Sequence, residues 1–150
     1  MSAQKLRGRL RRPRIHAVDL FCGVGGLTHG LVRGGVQVKA GIDVDPSCRF
    51  AYEQNNSADF LERDIESVQA ADIERYFSDG DVSLLAGCAP CQPFSTYSRR
   101  GRSDRADSQW PLVLAFGRLI EQVKPDLVAG VNYLGRSATT ILAGGGGEVC

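Results

Sequence analysis

Residues 15–27 read Ile15-His16-Ala17-Val18-Asp19-Leu20-Phe21-Cys22-Gly23-Val24-Gly25-Gly26-Leu27, an apolar run followed by a cluster of glycines. The first seven residues are mostly apolar and partly β-branched, the composition of a short strand. They run straight into a glycine-rich turn, where missing Cβ atoms let the backbone fold tightly and let a ligand approach the main chain. Residues 27–33 have helical character and stop at Gly34-Gly35, and 36–42 read as a second strand. Strand, glycine turn, helix and strand in that order describe the β-α-β unit of a parallel sheet.

Farther along, Pro46 suits the first turn of a helix that continues through Asn55, with Asp45 near its positive end and Asn55-Asn56-Ser57 ending it. Helical character around 68–77 precedes the turn Asp79-Gly80-Asp81, and 82–86 form an apolar strand of the buried parallel type. Residues 93–108 are polar, with Arg99, Arg100, Arg102 and Arg105 interleaved with Ser, Gly and Asp, and predict a mobile surface loop. In 109–123 the apolar residues Leu112, Ala115, Phe116, Leu119, Ile120 and Val123 fall at helical spacing, and Lys124-Pro125 closes that helix before a strand at 126–131. The expected fold is α/β, a doubly wound parallel sheet, incomplete at the C-terminus. Its last strand, 126–131, is expected to be an edge with no next neighbour, so the isolated chain should be marginally stable.

The 150 residues, 43% hydrophobic and 23% charged, suit one domain. The net charge of +1 hides an asymmetry: residues 1–14 carry six basic side chains and no acid, so the remainder is mildly acidic. The expected organisation is a basic flexible arm at 1–14, a cofactor-binding and nucleophile-bearing region at 15–131, and an atypical tail at 132–150 containing Gly144–Gly147. No 18-residue apolar run is present, so neither a membrane span nor a signal peptide is expected, and a cytoplasmic or nucleoid-associated location is. Cysteines at 22, 48, 88, 91 and 150 are odd in number and scattered, which favours reduced thiols over a disulfide framework.

Two features carry chemistry. A dinucleotide fingerprint starting at Gly23 would need glycine at 28, where Thr28 stands, while Asp43, 20 residues after Gly23, is placed to accept from ribose hydroxyls. A ribose-bearing cofactor without a pyrophosphate fits best; the plainer alternative is a glycine turn with a charge at a strand end. The second feature is Cys88-Ala89-Pro90-Cys91-Gln92-Pro93-Phe94-Ser95, which follows directly on the buried strand and delivers Cys91 to the crevice where open α/β sheets bind ligands. Cys91 is a candidate nucleophile, against the alternatives of a structural cysteine or a Cys-x-x-Cys redox or metal pair. A metal is disfavoured, since no second such pair exists and only His16 and His29 remain as nitrogen ligands.

Residues Asp19–Leu27, Asp43-Val44-Asp45-Pro46, Asp64-Ile65 and Gly87–Ser95, in their order and spacing, resemble the cytosine-C5 DNA methyltransferase family, from about Ile15 to Ala129. The resemblance implies an S-adenosylmethionine-dependent, Rossmann-like fold in which Phe21, Gly23, Gly25, Gly26 and Leu27 hold S-adenosylmethionine. Asp43 with Val44 would bind its ribose side, Asp64 and Ile65 its adenine, and Leu112 would close on the cofactor. It further implies that the Cys91 thiolate adds to carbon 6 of cytosine, making carbon 5 enamine-like and able to accept the methyl group. A base then removes the carbon-5 proton and the cysteine is eliminated. The partner would be double-stranded DNA with its target cytosine flipped out of the stack, contacted by Pro90, Gln92, Ser95, Arg99 and Arg100.

The chain departs from the family pattern after Lys124-Pro125-Asp126-Leu127-Val128-Ala129. A Glu-Asn-Val is expected next, its glutamate protonating ring nitrogen 3, but the chain reads Gly130-Val131-Asn132-Tyr133. General acid catalysis of this kind is worth about 10²–10⁴-fold, so Cys91 alone is expected to be a poor catalyst. The target-recognition region and later motifs are also absent, a pattern that a frameshifted or truncated reading would produce. Alternatives are an RNA cytosine-C5 methyltransferase, a non-catalytic cofactor- or DNA-binding half that docks on a complementary chain, and, more distantly, a redox protein using Cys88 and Cys91.

Overall fold

The computed structural model describes residues 11–89, 104–130 and 140–141. The described strands form one sheet: β1 (Ile15–Leu20), β2 (Gln37–Asp43), β3 (Asp59–Glu62), β4 (Val82–Gly87), β5 (Leu127–Gly130) and β6 (Thr140–Ile141). The spatial order is β3-β2-β1-β4-β5-β6. The first five run parallel, and β6 pairs antiparallel with β5 through Val128–Ile141 and Ala129–Thr140. The chain winds outward from β1 to β3 and then returns to β4 on the other side of β1. That reversal makes the carboxyl ends of β1 and β4 the topological switch point at which such sheets take ligands.

Four helices are described: α1 (Gly26–Arg33), α2 (Arg49–Asn56), α3 (Ala70–Glu74) and α4 (Asp104–Val123). Strand residues alternate between two cores because successive side chains point to opposite faces. Val18, Leu20, Ile42 and Leu85 pack with Ile73 of α3 and with Ala115 and Leu119 of α4. On the opposite face Ala17, Val38 and Leu84 pack with Leu31 of α1 and with Val36. Both faces of the parallel sheet are thus covered, as its unbroken apolar strands require. Tyr52 of α2 is fully buried and meets Phe60 of β3 edge-on, ring centroids 5.7 Å apart.

The doubly wound parallel sheet expected from the sequence is therefore present, with four differences in detail. First, α4 begins at Asp104, so residues 104–108 are helical and do not belong to a surface loop. Pro111 suggests a first-turn position, yet it lies inside α4, where its missing N–H leaves the helix one hydrogen bond short. Second, β3 has no counterpart in the sequence reading. It is a four-residue edge strand with an acid at each end, too short for alternation to register. Third, β5 is not an edge, because β6 covers it. Fourth, the chain is anchored before Ile15: the Arg11 guanidinium donates to both carboxylate oxygens of Asp81, at 2.9 and 2.8 Å, and the Arg14 N–H donates to Asp81 at 2.8 Å.

Other sequence signals act as expected. The Asp45 carboxylate accepts from the Ser47 N–H at 2.9 Å and caps the 3₁₀ turn Pro46–Cys48 that leads into α2. Ser57, at φ 50°, closes α2 in the left-handed conformation. Lys124, at φ 49°, does the same after α4, its N–H donating to the Ile120 carbonyl at 2.9 Å.

Candidate cofactor site

The turn after β1 is tight. Gly25 N–H donates to the Cys22 carbonyl at 2.9 Å, and the Gly25 carbonyl accepts from the His29 N–H at 2.8 Å to start α1. Gly25 sits at φ +90°, and a Cβ there would overlap the Asn56 amide and the Tyr52 ring, so both conformation and space demand glycine. Phe21 takes φ 57° although it is not glycine. A bulky residue in the left-handed region is strained, and its ring is held edge-on against Phe116 of α4 at 6.4 Å.

The carboxyl ends of the strands enclose a pocket of ≈ 230 Å³, lined by Phe21, Asp43, Val44, Asp64, Ile65, Cys88 and Leu112. Four separate strand ends and one helix supply these residues. Asp43 closes β2, and its two oxygens accept the Gly23 N–H at 2.8 Å and the Asp45 N–H at 3.0 Å. The carboxylate therefore ties the glycine turn to β2. Each oxygen has a further lone pair for a ligand hydroxyl. Asp64 caps the 3₁₀ turn Ile65–Ser67 by accepting the Glu66 N–H at 3.0 Å through one oxygen. Its second oxygen makes no hydrogen bond among the described residues.

Behind the glycine turn lies a buried polar chain. The Thr28 hydroxyl donates to Asp19 at 2.6 Å, so the Tyr52 hydroxyl, 3.1 Å away, must donate to Thr28. The second Asp19 oxygen is buried without a partner among the described residues, and burial pushes this carboxyl up to about 6 despite the Thr28 hydrogen bond. Cys22 is buried beside it, and desolvation followed by the charge of Asp19 pushes its thiol up. Among the described residues no group of three or more His, Cys, Asp or Glu side chains is arranged to hold a metal ion.

Of the residues singled out in the sequence, Phe21, Asp43, Val44, Asp64, Ile65 and Leu112 come together around the pocket. Gly23, Gly25, Gly26 and Leu27 form the adjoining turn and first residues of α1 but do not line it. Pro90, Cys91, Gln92, Ser95, Arg99, Arg100 and Val131 lie outside the described residues. Cys88 also lines the pocket, a place that the sequence signals only by putting it directly after β4 at the switch point. Thr28 counted only as a missing glycine; its hydroxyl is what satisfies Asp19.

The sequence profile of C-5 cytosine-specific DNA methylases matches residues 15–129. The chain belongs to this family. Type II methylase M.HgiDII of Herpetosiphon aurantiacus is 46% identical over 115 residues, which are 77% of this chain and 32% of the relative. Type II methyltransferase M.AgeI of Thalassovita gelatinovora is 30% identical over 123 residues, 79% of this chain and 28% of the relative. The chain thus spans about a third of the length of these curated methylases. Among solved structures, the S. pombe Dnmt2 methyltransferase shares the fold at a TM-score of 0.60 and 23% identity, covering 81% of this chain and 37% of that one.

Membership in a methylase family and this fold imply use of S-adenosylmethionine. The pocket fits that group. Apolar surfaces of Phe21, Val44, Ile65 and Leu112 suit an adenine ring, and two carboxylates suit ribose hydroxyls and a cationic ligand. Among the described residues that line it, none is Lys or Arg. No helix among the described residues is long and apolar enough to cross a membrane.

Proposed function

We propose that this chain is the cofactor-binding and nucleophile-bearing portion of a DNA cytosine-C5 methyltransferase. The observation that carries the reading is the convergence of Phe21, Asp43, Val44, Asp64, Ile65 and Leu112, drawn from separated segments, on one pocket at the switch point. Bound there, S-adenosylmethionine supplies a methyl group on a sulfonium. Asp43 accepts from the ribose hydroxyls while it holds the glycine turn, and Asp64 accepts from the adenine amino group. Phe21, Val44, Ile65 and Leu112 exclude water from the ring.

Cys88 lines the pocket as β4 ends, and Cys91 follows three residues later in sequence. The Cys91 thiolate attacks carbon 6 of a cytosine flipped out of duplex DNA. The family's ring-protonating glutamate has no counterpart in Gly130-Val131-Asn132. Efficient addition therefore needs an acid supplied from elsewhere, such as a complementary chain.

The test is calorimetric titration with S-adenosylmethionine, followed by incubation with duplex DNA carrying 5-fluorocytosine, which traps the cysteine adduct. Wild type should bind, and Asp43→Asn should bind about tenfold more weakly, since hydrogen bonds to a charged group are worth about 1.5–3 kcal/mol. The chain alone should give little trapped adduct. Equal affinity of wild type and Asp43→Asn overturns the pocket assignment. Robust methylation that survives Cys91→Ala overturns the nucleophile.

A further inference from the structure

Arg118 lies on α4 and points across the cofactor-site face of the sheet to the 3₁₀ turn Ile65–Ser67. Its Nη2 donates to three backbone carbonyls there, of Ile65 at 3.3 Å, Glu66 at 3.3 Å and Val68 at 3.1 Å. One nitrogen carries two hydrogens, so at least one hydrogen is shared between two of the carbonyls. The side chain is also steadied from its own helix, Nη1 donating to the Gln122 amide oxygen at 3.4 Å. Among the described residues the Glu66 and Val68 carbonyls have no other partner, because a three-residue turn does not continue into a helix that would use them.

The same helix meets the pocket twice more. Leu112, six positions before Arg118, lines it, and Phe116 holds the ring of the strained Phe21. Helix α4 thus fixes the turn carrying Asp64 and Ile65 and, from the other side, the residue that opens the glycine turn. Ile65 and Val68 are themselves buried in the core against Leu119 of α4, so the clamp and the packing act on one short segment.

We infer that Arg118 is a positioning residue for cofactor recognition: it holds the 64–68 turn so that Asp64 and Ile65 face the pocket. This rests on the proposed assignment of that pocket to S-adenosylmethionine. Arginine suits the task because Nη2 reaches the turn's carbonyls while Nη1 of the same planar group is held by Gln122, two roles that a lysine's single ammonium nitrogen cannot divide.

The experiment uses the full chain and has two arms. In the first, amide hydrogen exchange is followed without ligand in wild type, Arg118→Gln and Arg118→Lys. Exchange at Glu66, Ser67 and Val68 should quicken at least about tenfold in Arg118→Gln, less in Arg118→Lys, with Val18 and Leu85 in the central strands unchanged; tenfold corresponds to 1.4 kcal/mol of local opening. In the second, S-adenosylhomocysteine is titrated into wild type, Arg118→Gln, Asp64→Ala and the double variant. Arg118→Gln should weaken binding about tenfold in the wild-type background and less than twofold once Asp64 is removed, because both changes remove the same contact. Unaltered exchange in the 64–68 turn, or fully additive losses of affinity, overturns the inference. If Asp64→Ala and Arg118→Gln both leave affinity unchanged while exchange in the turn quickens, Arg118 holds the turn but the assignment of the pocket is what fails.

Discussion

The Thr28 hydroxyl donates to the Asp19 carboxylate at 2.6 Å, and both side chains are fully buried. This pair joins the first turn of α1 to the carboxyl half of β1, directly beneath the glycine turn. The bond satisfies only one oxygen of Asp19, and the other has no partner among the described residues. A charge kept in such a place costs stability, and the pH dependence of folding should show it.

Burial raises the Asp19 carboxyl from 3.8 to about 6. The folded protein therefore holds this proton more tightly than the unfolded chain does, so the associated stability is fully present below about pH 4 and is lost as pH rises through about 6. A shift of this size corresponds to about 3 kcal/mol. Urea unfolding of wild type and Asp19→Asn at several pH values should show the variant gaining on wild type between pH 4 and 7. A difference that stays constant across that range would show that Asp19 does not titrate this way.

Gly41 of β2 lies under the Tyr52 ring. A Cβ at this position would overlap the ring and its hydroxyl and come within 2.7 Å of the Cys22 sulfur. Both side chains belong to one buried cluster with Phe60, so neither can give way cheaply. Gly41→Ala should lower stability by about 1–3 kcal/mol, the range for overpacked cores. Thermal unfolding is the check, and Tyr52→Leu in the same background should recover part of the loss by vacating the space.

Neither of these two sites is legible in the sequence, whereas parts of the fold and of the pocket are. The glycine turn, Asp43 and the β-α-β unit were legible because backbone conformation and strand ends impose residue types that recur at fixed spacing. Phe21, Val44, Asp64, Ile65 and Leu112 were legible only through resemblance, since no periodicity marks a pocket assembled from distant segments. The start of α4 at Asp104 was hidden by a polar first turn and by Pro111. The clamp of Arg118 was hidden because its acceptors are backbone carbonyls, which any side chains would supply. Likewise the Asp19–Thr28–Tyr52 chain spans three elements and leaves no local pattern.

Thiol reactivity should separate the described cysteines. Cys22 is buried and its thiol is pushed up by desolvation and by Asp19, so little thiolate forms. Cys88 is exposed and lines the pocket. Brief alkylation of the native protein, read by peptide mass spectrometry, should modify Cys88 well before Cys22, and S-adenosylhomocysteine should slow the modification of Cys88 only. Equal labelling of both under native conditions would contradict the burial of Cys22.

The contact between Phe21 and Phe116 links strain to the pocket, and it yields the most discriminating pair of variants. Phe21 is held at φ 57°, with its ring edge-on to Phe116 at an interplanar angle of 85°. Left-handed conformation costs a non-glycine residue roughly 1–2 kcal/mol, and the aromatic pair returns about 0.5–1.5 kcal/mol beyond the area it buries. Phe21→Gly removes the strain and the ring together, so its net effect on stability should be small, within about 1–2 kcal/mol. Its effect on cofactor affinity should be large, because the ring is a wall of the pocket. Phe116→Ala does the opposite: it leaves Phe21 in place but unsupported. Phe116 is half-buried against the core, so the loss of stability should fall near the low end of the 3–5 kcal/mol typical of Phe→Ala, while cofactor affinity falls less than in Phe21→Gly. Melting temperatures and calorimetric titrations on the two variants decide the matter. If Phe21→Gly melts far below wild type yet binds S-adenosylmethionine unchanged, Phe21 serves the core and not the pocket.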